Sequence, residues 1–126
     1  MEADLRKVHL GATREIELPK LDVTQHIGKR AAIEIVEECE GTHGYYVRVQ
    51  TAVLEKLVRG DKKIELRASR NVGLQQDAAG NHGWGRDTKL GVFLRKMNVP
   101  HYRDLVGREV VVQTQANKEG TDFLTF

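Results

Sequence analysis

Asp87-Thr88-Lys89-Leu90-Gly91-Val92-Phe93-Leu94-Arg95-Lys96-Met97 is the stretch of this chain with a sustained helical period. Leu90, Phe93, Leu94 and Met97 recur at i, i+3, i+4 and i+7 and so share one face, while Asp87 or Thr88 offers a capping side chain at the amino end. Asn98 and Pro100 close the segment, because proline disfavours helical geometry in the residue before it. Burying the four apolar residues contributes roughly 1.5 to 3 kcal/mol each before chain entropy is counted. A single helix with one apolar stripe needs a surface to cover, and the residues on both sides of it read as strands.

Upstream, Ala31, Ile33 and Ile35 alternate with Ala32, Glu34 and Val36, which predicts a first strand ending at the acidic run 37–40. Gly41-Thr42-His43-Gly44 is a glycine-bracketed turn. A second strand follows from Tyr45 to Val53, with Tyr45, Val47, Val49 and Thr51 on one side and Tyr46, Arg48, Gln50 and Ala52 on the other. Residues 53–62 fit either a helical turn capped by Gly60 or a hairpin arm turning at Arg59-Gly60-Asp61, and the hairpin is preferred. Lys63 to Leu74 reads as a third strand, with Ile64, Leu66 and Ala68 opposite Lys63, Glu65, Arg67 and Ser69. Gln75 to Arg86 is a glycine-rich loop or short hairpin tip around the single tryptophan, Trp84.

Downstream, His101 to Val106 allows one further turn stopped by Gly107. Val110, Val111 and Val112 begin a fourth strand reaching Gln115, Asn117-Lys118-Glu119-Gly120 is a polar hairpin loop, and Asp122 to Phe126 is a last strand. Ile27-Gly28-Lys29 before the first strand echoes Val106-Gly107-Arg108 before the fourth, and both predict a bend that uses glycine at positive φ. Residues 1–15 read as a loosely ordered leader. Glu15-Ile16-Glu17-Leu18, stopped by Pro19, suits an edge strand, and residues 16–126 form a single domain.

The 126 residues leave room for one core, and 40% apolar with 30% charged residues is the composition of a globular domain. A net charge of +2 gives no general basic excess, so any nucleic-acid contact needs a local patch. One cysteine, Cys39, excludes an internal disulfide and a CxxC motif, and with glutamates rather than an activating group beside it, it reads as inert. No apolar run nears the roughly 18 to 20 residues that cross a bilayer, and a cytoplasmic setting without membrane contact is expected. His9, His26, His43, His82 and His101 lack metal-ligand spacing, and Gly80, Gly83, Gly85 and Gly91 form no phosphate-cradling motif. No cofactor, no metal and no catalysis are expected.

Three strands, a helix and two strands is the element order of the five-stranded Greek-key barrel called the OB-fold, and from about Leu21 to Phe126 the chain resembles it. The resemblance is carried by Ile27-Gly28-Lys29, Gly44-Tyr45-Tyr46-Val47-Arg48-Val49, Thr88-Lys89-Leu90-Gly91-Val92-Phe93-Leu94 and Asp104-Leu105-Val106-Gly107-Arg108-Glu109-Val110. The chain is also similar to small archaeal and phage-type proteins with a KLGxFL helix followed by DLxGxxV. The implied fold is mainly β with one α-helix between strands three and four. The implied ligand surface is the face of strands two and three, flanked by loops 41–44 and 117–120.

Those expectations name a binding set: Tyr46, Arg48, Gln50, Lys63, Arg67, Trp84, Arg86 and Lys118, with Ser69 beside them. Tyr46 and Trp84 supply rings on which bases stack, and the cations answer phosphates. Each has a plainer reading: alternating polar residues belong to any half-exposed sheet, a lone tryptophan commonly seals a core, and Arg86, Lys89, Arg95 and Lys96 suit a solvated helix face. Glu34 and Glu65 on the same faces oppose phosphate. The chain therefore reads as a non-catalytic binder of single-stranded DNA or RNA with little sequence preference. The alternative is a protein-interaction or assembly subunit, or a homodimer, pairing through Val36, Tyr46 or an edge strand.

Overall fold

A computed structural model describes residues 23–126. The expected leader 1–15 and the edge strand at Glu15–Leu18 lie outside the described residues. The strands are β1 (Arg30–Gly41), β2 (Gly44–Thr51), β3 (Glu55–Arg59), β4 (Lys62–Leu66), β5 (Ser69–Gly73), β6 (Gln75–Gln76), β7 (His82–Gly83), β8 (Glu109–Val111), β9 (Gln113–Ala116) and β10 (Asp122–Thr125). Among the described residues one α-helix, α1 (Lys89–Lys96), separates β7 from β8, and 3-10 turns occupy Thr24–His26 and Tyr102–Leu105. The fold is mainly β, built on a curled antiparallel half-barrel sheet of order β5-β2-β1-β8.

The helix forms where its period places it. Thr88 caps it, accepting from the Gly91 N–H at 3.2 Å, and Asn98 at φ 57 turns the chain out of it. Leu90, Phe93 and Leu94 are buried with Ile33, Val47, Val49, Val72 and Val110 of the sheet and Leu105 of the second 3-10 turn, with Met97 half-buried at the rim. A second cluster, Val23, Ala31, Ala68, Val112 and Leu124, fills the end of the half-barrel nearest β10. Arg70 of β5 donates to the Phe126 main-chain oxygen just past β10 at 3.3 Å while its guanidinium sits 4.9 Å from the Phe93 ring centroid, so one side chain ties β5 to the end of the chain by a hydrogen bond and to the helix by a cation–π contact.

Gly28 and Gly107 take the bends expected of them, at φ 86 and 87. An L side chain adopts that region only with strain, so each glycine lets the chain turn sharply into the β1–β8 pair. The hairpin preferred for residues 53–62 is present as β3 and β4.

Five features differ from the expectation, each for a physical reason. The strand expected from Lys63 to Leu74 is two strands: Lys62–Leu66 bonds to β3, Ser69–Gly73 bonds to β2, and the chain changes partner at Arg67 and Ala68. That corner is held by Thr51, which gives its N–H to the Ala68 carbonyl at 2.9 Å and accepts the Ala68 N–H on its hydroxyl at 3.0 Å. The strand expected from Val110 to Gln115 likewise divides at buried Val112 into β8, on β1, and β9, on β10.

In β1 a register shift between Ile33 and Ile35 moves the inward phase from Ile35 to Val36, which packs on the core. The acidic run 37–40 is not a strand end but continues β1 to Gly41, opposite Tyr45 to Arg48. Tyr45 does not share the burial of Val47 and Val49. It lies past the core, 41% exposed, with its ring centroid 4.3 Å from that of His82.

Candidate nucleic-acid interface

The outward face of β2 is set by alternation. Val47, Val49 and Thr51 point into the core, so Tyr46, Arg48 and Gln50 point out. Registration extends each of them into a row across three strands: Cys39, Tyr46 and Gly73; Glu37, Arg48 and Asn71; Ile35, Gln50 and Ser69. Asn71 and Gly73 were missed from the sequence, although the period that places Arg67 and Ser69 outward reaches them two and four residues past Ser69.

Gly73 gives the Tyr46 ring an open side. A Cβ built at Gly73 meets nothing within 4 Å, whereas one built at Gly41 comes within 3.0 Å of the Tyr46 ring. The ring therefore leans toward the β1 end and leaves the β5 side uncovered. Arg48 lies beside it, donating to the Tyr46 hydroxyl at 3.1 Å, with its guanidinium carbon 5.9 Å from the ring centroid and 3.5 Å separating it from a Glu37 carboxylate oxygen. The hydrogen bond to Tyr46 raises the Arg48 pKa further from a value already far above neutral pH, and the guanidinium is a permanent cation. The Arg48–Glu37 pair is exposed and weak, which leaves the guanidinium available to a stronger anion.

The other expected residues are scattered around this face. Arg67 is turned into the corner after β4: its side chain is 16% exposed, donates to the Thr51 carbonyl at 3.0 Å, and lies 3.5 Å from Glu34 and 3.4 Å from Glu65. Lys63 stands on the separate β3–β4 hairpin opposite Val58, and Lys118 stands in the turn between β9 and β10. Trp84 is half-buried, edge-on to His101 and Tyr102 with centroid separations of 5.1 and 5.5 Å. Arg86 is exposed just before the helix, and its carbonyl accepts from Arg95 at 3.0 Å. The β6–β7 loop is organised by Asp77, whose carboxylate accepts the Asn81 and Ala79 N–H groups, and those bonds hold its pKa below the usual range.

Among the described histidines, buried His26 has Nδ1 at 3.1 Å from Lys29 Nζ and Nε2 at 3.8 Å from Glu55, an arrangement of packing at the β3 base rather than of a metal site. No group of three or more potential ligands converges among the described residues. Tyr102 donates its hydroxyl to Glu38, and burial, with that carboxylate second, pushes its pKa up, so it remains a donor through neutral pH.

No family model, curated protein or solved structure matches this chain. The face itself therefore carries the functional argument.

Proposed function

We propose that the chain is a non-catalytic module that binds single-stranded nucleic acid across the outward face of β2 and β5, on a barrel of the OB type. The observation that carries this is the Tyr46 ring, uncovered beside Gly73 and flanked by the permanent cation of Arg48. A base stacks on the ring while its phosphate reaches the guanidinium, and Gln50, Ser69 and Asn71 add polar contacts that do not select one base. The sheet order supports the barrel: β1, β2 and β5 serve as strands one to three, β8 pairs with β1 as strand four, and β10 returns toward β5 as strand five after the helix. Few cations on the face mean few phosphates engaged, so affinity is modest.

The test is fluorescence anisotropy of a labelled oligothymidylate against the full chain at low and raised salt. Tyr46→Ala is expected to cost about 1.5 kcal/mol, near tenfold in Kd, from lost stacking. Arg48→Ala is expected to lower the slope of log K against log salt by about 0.7, the value for one phosphate on a single strand. Absence of binding at low salt, or two variants that bind like the parent, would sink the proposal. Variant folding is checked by circular dichroism before either comparison.

A further inference from the structure

Beyond Ile33, the side of β1 that faces away from β2 has no strand beside it among the described residues. β8 pairs only with Arg30, Ala31 and Ala32, and the last main-chain bonds on that side are Ile33 N–H to the Arg108 carbonyl and Gly107 N–H to the Ile33 carbonyl, both 2.8 Å. The β1–β2 turn closes on the Gly41–Gly44 pair, so Gly41, Cys39, Glu37 and Ile35 exchange their main-chain bonds with β2. Val36, Glu38 and Glu40 then direct their N–H and C=O groups to the open side. The same alternation appears on β2, where the Tyr45 carbonyl accepts from Leu74 on the side away from β1.

This edge is not flat solvent. A groove of about 340 Å³ runs along it, lined by Val36, Glu38, Tyr102, Arg103 and Val106. The hydrogen bond from the Tyr102 hydroxyl to the Glu38 carboxylate fixes its wall, and Val106 is 55% exposed. An unpaired strand edge beside a trough of mixed polar and apolar lining is the geometry of strand addition, in which main-chain bonds give affinity and alternate side chains enter the trough.

We infer that this edge takes up an extended basic segment of a partner protein as an added strand. Residues 34–40 hold four glutamates and no cation. Glu34 and Glu37 are answered by Arg67 and Arg48, while Glu38 meets a neutral hydroxyl and Glu40 is exposed. The uncompensated charge lies on Glu38 and Glu40, two of the three residues whose main chain faces outward, and it selects lysine or arginine opposite them. Arg103 on the far wall keeps those cations on the β1 side.

The same charges reject the other occupants. A second copy added antiparallel about a two-fold axis at residue 37, 38 or 39 sets at least one glutamate against another, and a nucleic acid would bring phosphates to carboxylates.

The experiment is amide hydrogen exchange by NMR on the full chain, titrated with an acetylated and amidated peptide, Lys-Val-Arg-Val-Lys-Val. In the free protein the Val36, Glu38 and Glu40 amides are expected to exchange fast, and the peptide slows them at least about tenfold. A version N-methylated on the amides that face β1, and a version with glutamate for each cation, are expected to give no protection. Glu40→Lys weakens the basic peptide without unfolding the chain, since its side chain is exposed. No binding by the basic peptide, equal binding by the N-methylated one, amides already protected in the free protein, or protection that grows with protein concentration alone would each overturn the inference.

Discussion

Gly91→Ala is expected to destabilise the fold by about 3 kcal/mol or more, lowering Tm by about 10 °C or more, although alanine is the better helix former. A Cβ at this position would lie 2.2 Å from the Gly85 carbonyl oxygen and 2.6 Å from that of Arg86. Neither oxygen is free to retreat. Gly85 accepts the Thr88 hydroxyl at 2.6 Å, and Arg86 accepts the Arg95 guanidinium at 3.0 Å, so the loop is bonded in place against the helix. The propensity gain of about 1 kcal/mol is therefore outweighed by a backbone collision. Gly73→Ala is the control, because its Cβ enters open space, and it is expected to stay within about 0.5 kcal/mol of the parent. Thermal unfolding followed by circular dichroism decides the matter: a Gly91→Ala variant as stable as the parent would show that the helix and loop separate at little cost.

Arg67→Ala is expected to lower stability by about 2 kcal/mol while leaving oligonucleotide affinity unchanged. The residue looks like a binding cation in the sequence, yet its guanidinium is spent on the Thr51 carbonyl and on Glu34 and Glu65. The two glutamates are half exposed and add little, so most of the cost is the charge-assisted bond to a main-chain oxygen at a corner that has no other clamp of that kind. Urea unfolding and anisotropy on the same variant separate the two roles. Loss of binding with stability intact would return Arg67 to the ligand face.

The parts of the fold legible in the sequence were those fixed by neighbours along the chain. The helix stripe, its Thr88 cap, the two-residue turn at Thr42 and His43, and the left-handed bends at Gly28 and Gly107 depend on local spacing and on glycine's φ range. The corners at Ala68 and Val112 were hidden because alternation passes through a change of strand partner without a break. The register shift after Ile33 was hidden because a bulge is a relation between two strands, and one strand's sequence does not contain it. The site followed the same division. Tyr46, Arg48 and Gln50 were legible from the phase of β2, whereas Asn71, Gly73 and the capture of Arg67 depend on which residues the register sets side by side.

The β1–β8 pairing has a further meaning for how the chain assembles. β1 meets β2 across a turn of two residues, so that hairpin closes quickly, but Arg30 finds Val111 only after nearly the whole described chain has been threaded between them. The loop entropy of that closure comes due before any contact across it is gained. The open side of β1 is consequently present early, as the unshielded margin of the first hairpin, and β8 covers only its first residues at the end. The four glutamates of residues 34–40 line the part of that margin that β8 never reaches, and their like charges disfavour edge-to-edge pairing of two copies both while the half-barrel closes and afterwards.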